Sequence, residues 1–201
     1  MNKSNYVVRD NLRLCVIENS ILIETAITIL ICTKLNIEPE NSKSFGNGSS
    51  SLSFSQKIQI MQDIQGLEKE LVKKLSCLTN IRNKFAHVGE VSDFEKFFQI
   101  SKNGKELRNS LHRWYSSIHS ENSSDFYRKT FYSLVDDINN SLQSLGSSIG
   151  QKIGKSLGEI LLYEMLVEEV KLLPNSKNIF DSVQEKYDAR VADPNFNYKI
   201  S

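Results

Sequence analysis

Arg82, Asn83 and His87 fall within six residues of one another in Leu78-Thr79-Asn80-Ile81-Arg82-Asn83-Lys84-Phe85-Ala86-His87-Val88-Gly89-Glu90. These residue types suit one metal-free reaction, the cleavage of RNA by its own 2′-hydroxyl. That reaction needs a base for the hydroxyl proton, an acid for the leaving 5′-oxygen and positive charge beside the phosphate. Histidine is the side chain poised for proton transfer near neutral pH, and the arginine fork matches phosphate oxygens while never losing its charge. On this reading His87 is the acid/base, Arg82 the phosphate clamp and Asn83 the group that orients them. Lys73, Lys74 and Lys84 follow Lys69 on the same run, opposed only by Glu70. They form a candidate phosphate-binding patch; composition alone favours the alternative, a solvated lysine face.

The spacing sets a geometric condition. On a straight helix, residues five apart point about 140° away from each other. Asn83 and His87, four apart, share a face that Arg82 does not. Convergence therefore needs either a distortion around Ile81 to Asn83 or a two-fold dimer in which a second copy supplies what the first lacks. The ordinary reading needs neither. An arginine beside a leucine stripe lays its stem over the core, and a histidine in the last helical turn favours the helix dipole without doing chemistry.

The elements that must hold these residues are helical. No segment alternates apolar and polar residues with hairpin turn signals. Pro39, Pro174 and Pro194 all stand where helical patterns stop. Apolar residues recur at helical spacing from about Val7 to Leu35, and a Pro/Gly/Asn/Ser-rich loop follows. Ser53 with Gln56 reads as a capping box. Beyond Gly66, which weakens or bends the helix, Leu67, Leu71, Leu75, Leu78 and Phe85 trace one stripe into the motif, and Gly89 is placed to end it. A connector containing Asn103-Gly104 leads to a helix over Lys105–His119. A long amphipathic helix carries Phe131, Leu134, Val135, Ile138, Leu142 and Leu145. A Gly/Ser break is expected at Gly146–Gly154, then another helix over about 155–173. The sequence thus predicts an all-α bundle of five to seven helices, with a bundle over 1–150 and a helical extension over 151–201 packed on it.

With 201 residues, a net charge of +1 and three scattered cysteines, the chain lacks both a global field for nucleic acid or membrane and a disulfide or zinc framework. The Leu12–Cys32 stretch is long enough for a membrane span, but Arg13, Glu18, Asn19 and Glu24 interrupt it. The start has no secretory pattern. The expectation is a cytoplasmic protein without metal or cofactor.

The run Arg82-Asn83-Lys84-Phe85-Ala86-His87 resembles the Arg-x(4–6)-His signature of the HEPN superfamily. The stretch Ser51 to His87 is similar to its mannitol operon repressor-like branch, closely over about 52–88 and loosely over 10–146. The resemblance implies a HEPN-like helical bundle, acting as a homodimer whose motifs face each other at a shared cleft. It implies a metal-independent endoribonuclease with Arg82 and His87 catalytic and Asn83 supporting, in abortive infection against phage or as a toxin. Its implied partners are RNA and an antitoxin, a phage protein or another regulatory protein. Glu24 is the candidate for an extra polar residue near the site, or else a carboxylate balancing Arg82 or a lysine. The repressor-like branch implies the alternative, a non-catalytic regulator that binds a protein partner.

Other patterns carry less. His112, Tyr115 and His119 can share a helical face, yet without a carboxylate they make a poor metal site. Arg108-x-x-x-His112 falls one residue short of the signature. Gly150 to Ser156 lacks the glycine spacing and the preceding strand of a phosphate-binding loop.

Overall fold

The structure is a computed structural model that describes residues 6–46, 48–172 and 174–191. Among them are seven α-helices and no strand: α1 Leu12–Leu35, α2 Phe54–Gln65, α3 Lys69–His87, α4 Phe94–Ile100, α5 Gly104–Trp114, α6 Ser123–Lys171 and α7 Ser176–Val191. A 3-10 turn at Pro39–Asn41 lies between α1 and α2. The chain divides into two compact units, Met1–Ser148 and Ile149–Ser201.

In the first unit α1 packs on α2 and α3. Cys15, Val16, Ile23, Ile27 and Ile31 of α1 are buried with the leucine stripe of α3, where Leu71, Leu75, Leu78, Ile81 and Phe85 turn inward. Each fully buried side chain of this size contributes about 1.5–3 kcal/mol. That burial fixes the rotation of α3, and hence the direction of its polar residues. α1 is long and apolar enough to cross a membrane (mean hydropathy 1.9). Nine of its residues are buried in the first unit, Leu14, Ile21, Leu22, Ile29 and Leu35 are exposed, and its Arg13 and Glu24 bond to protein groups.

Local signals explain most boundaries. α1 starts at Leu12 rather than Val7, because Asn11 caps it by accepting from Leu14 N (3.0 Å). The residues before it are tied to its side chains instead: Val7 N donates to Asn19 Oδ1 and Val7 O accepts from Asn19 Nδ2, both at 2.8 Å. Ser53 and Gln56 form the capping box of α2. Gly66, at φ +67°, ends α2 in the left-handed region that glycine tolerates, so the expected bend is a break between two helices.

Two further features depart from expectation. The connector holds a short helix, α4, started by Asp93, whose carboxylate accepts from Lys96 N (2.8 Å). Phe94, Phe97 and Phe98 seat it in the core. The Gly/Ser stretch does not interrupt α6, which runs unbroken from Ser123 to Lys171. Each glycine costs about 1 kcal/mol relative to alanine in a helix, which weakens the helix without forbidding it. No proline stands in the way, and Ser147 Oγ turns its hydroxyl back onto Gln143 O (3.0 Å) rather than breaking the chain.

Candidate functional site

The last turns of α3 carry the motif. Ile81 and Phe85 are completely buried, and the Phe85 ring meets Phe94 and Phe97 of α4 at 5.5 and 6.2 Å between centroids. With that side anchored, Asn83 and His87 project from the exposed face they share, while Arg82 and Lys84 are partly exposed. Arg82 points elsewhere at its Cα, but its length lets Nη1 donate to Asn83 Oδ1 at 3.0 Å. Arg82 and Asn83 are therefore joined directly. Among the described residues no hydrogen bond joins either of them to His87. α3 continues unbroken through Ile81 to Asn83 and ends at His87, so no distortion of the helix closes the remaining gap.

Gly89 does not supply the left-handed cap expected of it; Val88 caps α3 in an extended conformation. Carbonyls of the last turn of the helix and of the loop that follows it are met by Arg13 of α1. Its guanidinium donates to Phe85 O and Val88 O, and to Gly89 O and Val91 O at 2.9 and 2.8 Å. A helix leaves its last carbonyls without partners and its C-terminus with partial negative charge, and one planar cation answers both. Arg13 thus holds in place the turn that carries His87. In the sequence it registers only as a charge in an apolar run. The usable signal is that such a charge, on a helix destined for the core, demands a specific partner.

A groove of about 530 Å³ opens beside this turn, lined among others by Arg13, Gly89, Ser92, Asp93, Ser124 and Arg128. Arg128 Nη2 donates to Asp10 O at 2.6 Å, so two arginines that the motif does not include stand at its edge. Asp93 shares the lining, and the backbone N–H of Lys96 holds its carboxyl below the usual carboxylate range, with Ser92 adding to the effect.

The remaining candidates are spread apart. Lys73 is exposed and lies 3.6 Å from Glu70. Lys84 forms no ion pair among the described residues. Lys74 is largely enclosed: its ammonium meets Asp137 Oδ2 at 2.6 Å and sits over the Trp114 and Tyr115 rings at 5.9 and 5.6 Å. Tyr115 donates to the same Asp137 oxygen at 2.8 Å, and burial followed by this bond pushes its hydroxyl pKa up. The charge of Lys74 therefore ties α3 to α5 and α6. Glu24 accepts from Lys57 Nζ at 2.8 Å and lines a different groove, of about 570 Å³, with Lys57, Thr28 and Phe45. Its charge balances that lysine, and it does not join Arg82, Asn83 and His87.

The patterns of lesser weight also find structural partners. His112 Nε2 lies 2.8 Å from Tyr127 Oη, and its ring stacks on Phe126 at 4.7 Å. α5 ends at Trp114, so His119 stands outside the helix that carries His112. Arg108 forms an ion pair with Glu95 and covers the Phe98 ring. Among the described residues no group of three His, Cys, Asp or Glu side chains is arranged to hold a metal ion.

No family model, no curated protein and no solved structure matches this chain.

Proposed function

We propose that this chain is a HEPN-type, metal-independent endoribonuclease that works as a homodimer. Its site combines Arg82 and Asn83 of one copy with His87 of the other. The observation that carries the proposal is the disposition of the motif at the end of α3. The Arg82–Asn83 pair and His87 stand on accessible surface, with an arginine-edged groove opening past His87 at Gly89, yet the pair and His87 remain unconnected within one chain. A second copy related by a two-fold axis supplies a symmetric means of completing the set. In that arrangement His87 moves the proton of the 2′-hydroxyl or of the leaving 5′-oxygen, and Arg82 neutralises the phosphate while Asn83 holds its guanidinium. Lys73, exposed, and Lys84, partly exposed on the same helix, extend the positive surface for the RNA backbone. The setting that fits such an activity is a cytoplasmic toxin or abortive-infection effector.

The test is incubation of RNA with the purified protein in EDTA, beside Arg82→Ala and His87→Ala. The reading expects cleavage by the wild type and loss of at least a hundredfold in each variant with its helical content intact. An inert wild type at high concentration on several RNAs contradicts it.

The second reading is a non-catalytic regulator that binds a protein. It draws on the apolar residues left exposed on the later part of α6, among them Leu157, Leu161 and Met165. It expects no cleavage.

A further inference from the structure

Glycine recurs at every fourth position of α6, at Gly146, Gly150, Gly154 and Gly158. Residues four apart share a helical face, so these four make one stripe. Its first member is occupied: a Cβ at Gly146 would lie 3.1 Å from Leu30 Cδ2, so the bare backbone is what admits α1 so closely. The other three, in the unit 149–201, have nothing within 4 Å of where a Cβ would stand. Further along the same face come Leu161 and Met165, 58% and 57% exposed. Val167 and Val170, on the opposite side of the helix, are partly buried, so the glycine–leucine face is the side left open. A helix as apolar as this one around its circumference is ordinarily buried, yet Leu157, Ile160, Leu162 and Leu166 are exposed as well.

Charge along the segment is segregated. The glycine half carries Lys152 and Lys155 and no acid, whereas the bulky half carries Glu159, Glu164, Glu168 and Glu169 and no base before Lys171. Those carboxylates repel both nucleic acid and an anionic lipid surface. What complements a small, basic half followed by a bulky, acidic half is the same segment reversed.

We propose that residues 149–170 of α6 pair antiparallel with the same segment of a second copy of this chain, about a two-fold axis passing between residues 159 and 160. In that register Gly158 of one copy receives Leu161 of the other and Gly154 receives Met165, while the half that bears Lys152 and Lys155 runs beside the half that bears the glutamates. Small residues let the two backbones approach closely, and the contact is self-complementary as a two-fold interface must be. A parallel pair would set glycine against glycine and glutamate against glutamate. The pairing uses none of the motif residues and stands independently of the ribonuclease reading.

Cysteine cross-linking tests it on the full chain, since Cys15, Cys32 and Cys77 are all buried. In the proposed register a Leu161→Cys thiol lies only about 4.5 Å along the helix axis from its mate, whereas Met165→Cys lies about 16 Å away. A disulfide needs its Cα atoms within about 7 Å. Mild oxidation is expected to give a covalent dimer with Leu161→Cys and none with Met165→Cys. Equal cross-linking at both positions, or none at Leu161→Cys, overturns the proposal. Light scattering supplies the second readout. The wild type is expected to be a dimer, and the double variant Gly154→Leu/Gly158→Leu, which fills the stripe while favouring the helix, is expected to associate at least tenfold more weakly. A monomeric wild type overturns the proposal, as does a Leu161→Cys chain that still cross-links as before when it also carries the double variant.

Discussion

Replacing Arg13 with alanine should loosen the turn that carries His87 without touching any motif residue. The side chain donates to four backbone carbonyls around the end of α3. A hydrogen bond from a charged group is worth about 1.5–3 kcal/mol, and favourable charge at a helix C-terminus about 0.3–1 kcal/mol at an exposed site. The four bonds share one guanidinium, and the Gly89 carbonyl lies where water can replace it, so they do not add. A net loss of about 2–4 kcal/mol follows, or roughly 4–16 °C in Tm for a chain of this size. Arg13→Lys should recover only part of this, because an ammonium is a point charge and cannot span four acceptors as the fork does. Urea unfolding followed by circular dichroism measures the loss. Amide exchange locates it: Val88 N–H bonds to Lys84 O at 3.0 Å and Val91 N–H to Val88 O at 3.1 Å, and both should exchange faster while the amides of α2 do not. An alanine variant within about 0.5 kcal/mol of wild type, with the exchange of Val88 and Val91 unchanged, would refute the assignment of Arg13 as the clamp.

Three further outcomes follow from side chains with defined partners. Asp137→Ala removes the acceptor shared by Lys74 and Tyr115. It should destabilise the chain by about 1–3 kcal/mol in urea melts, since it strands a largely buried ammonium and a buried hydroxyl; Asp137→Asn should cost less. Asp93→Ala removes the cap of α4 and should cost about 0.5–2 kcal/mol. Because the Asp93 carboxyl is held below the usual carboxylate range, its contribution is present above that range and declines as pH falls through the lowered folded pKa. The gap between wild type and Asp93→Ala in unfolding experiments should therefore close on acidification; a gap independent of pH refutes that link. Phe85→Ala should cost about 3–5 kcal/mol and disturb α4 as well, read as faster amide exchange at Phe97 and Ser101.

How much of this was legible in the sequence depends on how far apart the interacting residues stand. The capping box at Ser53 and Gln56, the stripe from Leu71 to Phe85 and the glycine at 66 are local patterns, and each appears in the structure as a helix start, a buried face and a helix end. α4 was missed because seven residues are too few to establish a helical period; its signals were an Asp93 cap and three phenylalanines. The break expected after Gly146 did not occur because glycine content measures a local cost, and a sufficiently long helix on either side overcomes it. The motif residues could be chosen by chemistry, and the contact between Arg82 and Asn83 is between neighbours. The clamp on their helix could not be chosen that way, since Arg13 is more than seventy residues away from the carbonyls it meets. The destinations of Lys74 and Glu24 were equally hidden, because Asp137 and Lys57 are brought to them only by packing.

The composite site is most directly tested by mixing two inactive proteins. Arg82→Ala and His87→Ala, unfolded together and refolded as a one-to-one mixture, should form mixed dimers in about half of the population. Each mixed dimer has one intact pairing of Arg82 from one copy with His87 from the other. The account predicts return of RNA cleavage in EDTA to roughly a quarter of the wild-type rate, with none from either variant refolded alone. Mixed dimers that form and stay inactive, while refolded wild type cleaves, would contradict a site shared between two copies.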